Sequence, residues 1–128
     1  MPAMLKGLSE GWLMSAKPAV DLHHLSRYTG GDETLNAEVL RLFDTQVTEM
    51  VAKLRAVLDA RDAKSWREVT HTLKGAARGI GAFPFADAAA AAEPIDPVRD
   101  RANASIAISL LKTNSEAVQA FIKDYLAR

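Results

Sequence analysis

The chain has 128 residues, 48% of them hydrophobic and 25% charged, which fits one soluble globular domain able to bury a core. Lys plus Arg and Asp plus Glu both number 16, so the formal net charge is zero and the basic footprint of a nucleic-acid binder is missing. The absence of cysteine excludes disulfides, thiolate metal sites and a cysteine nucleophile; no apolar run approaches the roughly 20 residues that span a bilayer.

Residues 1–17 form a leader outside the main pattern, without the features of a secretory signal, so a cytoplasmic location is expected. Met4, Leu5, Leu8, Trp12 and Leu13 recur at helical intervals there, but Gly7 and Gly11 weaken any helix. The leader reads as a loosely attached segment or one turn packed on the body. Pro18 suits the first turn of a helix, which should run to about Thr29 and stop at Gly30-Gly31. Asp32 is the next N-cap, with Glu33 in the first turn facing the helix dipole. The second helix is predicted from Glu33 to Ala60, with Leu35, Val39, Leu42, Phe43, Met50, Leu54, Val57 and Leu58 at three- and four-residue steps. Val47 and Val51 widen that stripe. Asp62 caps a third helix over Ala63 to Ile80, and the Phe83-Pro84-Phe85 corner opens a short alanine-rich fourth, Pro84 to Glu93. Pro94-Ile95-Asp96-Pro97 is a rigid turn. The last helix fills Val98 to about Ala127, with Ile106, Leu110, Leu111, Val118, Phe121, Ile122 and Tyr125 as its apolar positions.

No segment alternates with the two-residue period of a strand. The predicted fold is all-α: an antiparallel up-down-up-down four-helix bundle over residues 18–128, with a short additional N-terminal helix.

The third helix carries the chemistry. At about 100° per residue, Lys64, Arg67, Glu68, Lys74, Gly75 and Arg78 fall within about 60° of His71, while Trp66, Val69, Leu73, Ala76 and Ile80 fall opposite. The apolar set faces the bundle and His71 faces water or a partner. Glycine in a helix interior costs about 1 kcal/mol relative to alanine. Gly75, on the outer face one turn from His71, either permits close helix packing or clears a path to the imidazole; its placement away from the core favours the path. A neutral imidazole nitrogen is a nucleophile near neutral pH. A phosphoryl group brings about 1.5 to 2 negative charges, which Lys74 can offset, with Arg78 and Arg67 adding positive potential. Glu68 is a candidate to bind the other ring nitrogen and set the tautomer.

These residues resemble the histidine-containing phosphotransfer (HPt) domain of bacterial and plant phosphorelays. The family motif is a histidine, a variable residue, an aliphatic residue, lysine and glycine, with another glycine ten positions after the histidine; here His71, Leu73, Lys74, Gly75 and Gly81. The resemblance covers about residues 19 to 125. It implies that His71 accepts a phosphoryl group from a receiver-domain aspartyl phosphate and passes it to another response regulator, with Lys74 as the phosphate neighbour and Gly75 as the access residue. Arg78 departs from the small residues common there. The resemblance also implies a monomeric carrier, not a complete enzyme, whose partners are response-regulator receiver domains or the receiver of a hybrid histidine kinase. No cofactor of its own is expected; Mg²⁺ belongs to the receiver. The docking surface should come from the first three helices, with Val47 and Phe43 as candidates if exposed.

Three other readings remain open on the residues alone. Glu68-Val69-Thr70-His71 has the Glu-x-x-His spacing of carboxylate di-metal bundles, but the only other approximation is Asp21 to His24. A kinase fragment would need an ATP-binding domain elsewhere, since no glycine-rich nucleotide loop is present. An interaction-only bundle with an inert histidine is the third. His23 and His24 read as surface residues without function.

Overall fold

The computed structural model describes residues 17–128, which form five helices. The expected leader, residues 1–17, lies outside the described residues except for Lys17. In chain order the helices are α1 (Leu22–Thr29), α2 (Glu33–Asp59), α3 (Ala63–Ile80), α4 (Phe83–Ala92) and α5 (Arg101–Leu126).

Aspartate side chains start four of them. Asp21, Asp32, Asp62 and Asp100 each accept a backbone N–H three residues on, satisfying one of the donors a helix start leaves unpaired. α4 has no such cap and uses Pro84 in its first turn instead. Two of the predicted starts were too early. α1 begins after Asp21, not at Pro18, and α5 begins after Asp100, not at Val98. In the second case Asp96 accepts from the N–H groups of Val98 and Arg99 and holds a separate turn ahead of the helix.

Consecutive helices α2 to α5 are neighbours, and the ring closes by α5 packing on α2. This is the four-helix bundle. α1 lies across one end, touching α2 and α3. Its attachment depends on Gly81, where φ is +87°, a left-handed conformation that ends α3. Asp21 N–H donates to the Gly81 carbonyl at 2.9 Å. A Cβ on Gly81 would stand 2.8 Å from the Asp21 carbonyl oxygen, so only glycine admits α1 this closely. His24 is not an idle surface residue: its ring packs edge-on against Phe83 at 5.0 Å and fixes α1 to the start of α4.

The core is built from Leu40, Phe43, Val47, Leu54 and Leu58 of α2, Trp66 and Leu73 of α3, Phe85 of α4, and Leu111, Val118 and Ile122 of α5. Phe43 and Val47 are therefore interior residues and leave the list of docking candidates. Leu35 and Leu42, expected in the α2 stripe, are exposed, as are Ile106 and Leu110 on α5. The α5 core adds the small residues Ala104, Ala107 and Ser115 to Ile108, Leu111, Val118 and Ile122. Asn36 takes a buried position on α2, where the hydroxyl of Thr29 and that of Tyr125 hydrogen-bond its amide, tying α1, α2 and α5 together.

Candidate functional site

α3 presents His71 outward. Its buried residues Trp66, Thr70, Leu73 and Ala77 fix the rotation of the helix, and the imidazole, opposite them, is 70% exposed. Lys74 follows one turn later on the flank nearer α4 and is only 20% exposed. Between these two groups sits a residue that the helical wheel of α3 did not include. Glu93, at the C-terminal end of α4, places Oε1 3.0 Å from His71 Nδ1 and Oε2 2.6 Å from Lys74 Nζ.

The position of Glu93 is electrostatically unusual. A helix C-terminus carries partial negative charge and disfavours a carboxylate. The Lys74 ammonium first, and the His71 hydrogen bond second, overcome this and hold the Glu93 carboxyl below the usual glutamate range. An ionised carboxylate can only accept, so the hydrogen in the His71 contact sits on Nδ1. That leaves the lone pair on Nε2, the nitrogen directed away from Glu93. A lone carboxylate at the end of an alanine-rich helix was the sequence signal for this residue: it needs a cation, and Lys74 is the cation it meets.

The other expected site residues separate into two groups. Gly75 is in the helix interior, exposed, and among the described residues no atom lies within 4 Å of where a Cβ would stand. Close helix packing is thereby removed as the reason for glycine here. Glu68 does not bind the imidazole. It points along the exposed side of α3, where its carboxylate lies 3.9 Å from Lys64 Nζ, because a residue three positions before His71 on the same helix is outreached by Glu93 from the next one. Arg67 and Arg78 are both exposed. The charge of Arg67 is felt at Asp96, whose carboxyl is held low by the N–H groups of Val98 and Arg99 first and by Arg99 and Arg67 after them. Arg78 makes no ion pair among the described residues. The Glu68-x-x-His71 pair does not converge inward as a bundle metal site requires, since both side chains are mostly exposed and Glu68 turns to Lys64. Among the described residues no group of three or more His, Asp or Glu side chains gathers to hold a metal ion. No described helix is long and apolar enough to cross a membrane.

Comparison with known proteins places the chain in a family. The Hpt domain family profile matches residues 38–121, well over half of the chain. The crystal structure of histidine-containing phosphotransfer protein B from Pseudomonas aeruginosa PAO1 superposes with a TM-score of 0.77 at 22% sequence identity, over 88% of this chain and 99% of that one. At that identity the likeness is one of fold. A comparison with curated protein sequences finds no match. The chain belongs to the Hpt domain family, the histidine phosphotransfer proteins of phosphorelays.

Proposed function

We propose that His71 is the phosphoacceptor, that its Nε2 takes a phosphoryl group from a receiver-domain aspartyl phosphate, and that the same nitrogen yields it to the aspartate of another response regulator. The observation that carries this reading is the exposed imidazole with Nδ1 3.0 Å from the Glu93 carboxylate, a contact that favours the Nδ1–H tautomer and Nε2 as the nucleophile. In the forward step the Nε2 lone pair forms the N–P bond in line with the breaking P–O bond, and the aspartate leaves as a carboxylate. No proton has to move: the hydrogen stays on Nδ1, and the Glu93 carboxylate offsets the positive charge the ring acquires. Lys74 lies within the same carboxylate's reach and supplies the charge that balances the incoming phosphoryl oxygens. Gly75 leaves room beside the ring for the receiver's loops. Arg78 and Arg67 extend the positive field along the same side of α3, toward an acidic receiver pocket. The receiver brings Mg²⁺ together with its aspartate, and the chain works as a monomeric carrier without an ATP site of its own.

The test is transfer of label from a panel of radiolabelled phospho-receivers from the same source to the purified protein. Wild type is expected to become labelled and His71→Gln to remain unlabelled, while Lys74→Ala should transfer more slowly with an unchanged far-UV spectrum. Label on His71→Gln removes the assignment.

A further inference from the structure

Glu93 can hold His71 and Lys74 together only if the end of α4 stays in one place. Two features work against this. The last turn of any helix frays readily, and a carboxylate there is opposed by the helix dipole. A third residue of α3 answers both. Trp66 is fully buried, five positions before His71 and on the other side of the helix. Its indole Nε1–H donates to the carbonyl of Ala92 at 2.9 Å.

Ala92 is the final residue of α4, and the peptide unit that carries its carbonyl also carries the N–H of Glu93. That N–H donates to Ala89 at 3.0 Å. One planar group is therefore held on both edges, by α3 through the indole and by the last turn of α4 through Ala89. The Cα of Glu93 lies in the same plane. Ile95 N–H also donates to the Ala92 carbonyl, at 3.2 Å, which draws the following turn onto the same anchor. From this fixed origin the carboxylate returns to α3 and meets both His71 and Lys74. The two helices are thus joined twice, once inside the core and once at the surface, on either side of one residue.

We infer that Trp66 is a positioning residue for phosphotransfer: through the Ala92 carbonyl it holds Glu93 where its carboxylate fixes the imidazole hydrogen on Nδ1 and leaves Nε2 open. The inference rests on His71 being the phosphoacceptor. Hydrophobic packing alone needs only a large apolar side chain at this position. The indole N–H adds one directed contact, and that contact ends on the peptide bearing Glu93. Hydrogen bonds weaken steeply with distance and angle, so a small displacement of this peptide is enough to release the imidazole.

The experiment compares wild type, Trp66→Phe, Glu93→Gln and the double variant. Phenylalanine keeps an aromatic ring in the core and deletes the donor. Nitrogen-15 NMR of the neutral His71 ring in the unphosphorylated protein should show the Nδ1–H tautomer in wild type and a mixture in Trp66→Phe. The rate of label transfer from a phospho-receiver should fall about fivefold in Trp66→Phe, the effect of one net hydrogen bond. In the Glu93→Gln background the same substitution should cost no further rate, because residues acting through one chain of contacts are not additive. An unchanged tautomer in Trp66→Phe, or losses that multiply in the double variant, overturns the inference. Should Trp66→Phe fail to fold, the same measurements follow replacement of Trp66 by β-(3-benzothienyl)alanine in a Trp12→Phe background, where sulfur takes the place of the indole N–H at nearly constant shape. Failure of wild type to accept label from any receiver removes the phosphoacceptor reading instead, and the tautomer measurement still decides whether Trp66 positions Glu93.

Discussion

Gly75 weakens its own helix and meets nothing among the described residues that requires the weakness. The space beside it is open, so alanine there should form the same helix and stabilise it by about 1 kcal/mol, raising the melting temperature by about 3–5 °C. If Gly75 is the access residue of the proposed function, Gly75→Ala should also slow phosphotransfer. Calorimetry paired with label transfer checks both halves, and a stabilised variant with unchanged transfer removes the access role. Glu93 gives a second prediction at this scale. A carboxyl whose folded-state pKa lies below its unfolded value stabilises the fold above the unfolded value, about 4.3 for glutamate, and that contribution is lost as pH falls through the folded value. The lowered pKa of Glu93 places it in this class. The gap in urea midpoint between wild type and Glu93→Gln is therefore expected near neutral pH and should close as the solution is taken below about pH 4. A gap that widens on acidification contradicts the ion pair with Lys74.

The helices differ in how plainly their sequences announce them. α2 and α3 were readable to within a residue or two because Asp32, Asp62 and Gly81 are capping residues directly flanking periodic apolar runs. α1 and α5 start later than Pro18 and Val98 suggest, because Asp21 and Asp100, a few positions on, hold the caps. Periodicity also overstated burial: Leu42 and Ile106 fit the repeat but are exposed, while alanines supply much of the α4–α5 contact. His71, Lys74 and Gly75 were legible because one helix places them by spacing alone. Glu93 was not, since its contact with His71 joins residues 22 apart on two helices. The junction of α1 with the bundle yields its own prediction. Gly81→Ala forces a side chain into a left-handed residue and against the Asp21 carbonyl, so α1 should detach while the bundle persists. Hydrogen exchange should then rise at Leu25 and stay slow at Leu73; protection retained at Leu25 argues against the clamp.

Across residues 17–128, four helices in a closed ring bury side chains from each in one shared interior. Leu40 is fully buried within it, and Leu40→Ala is expected to cost about 2–5 kcal/mol in a denaturant titration. His71 lies outside that interior, so the same variant should retain phosphotransfer under conditions where it remains folded. Stability and signalling thus occupy different layers of one small protein, and Trp66 is where the layers touch. An indole is also a light emitter whose colour and yield depend on its surroundings. With Trp12 changed to phenylalanine, Trp66 becomes the sole indole, bonded to the peptide that bears the carboxylate facing His71. Phosphorylation that draws Lys74 away from Glu93 would then be visible as a change in ultraviolet emission, turn over by turn over, without radiolabel or dye.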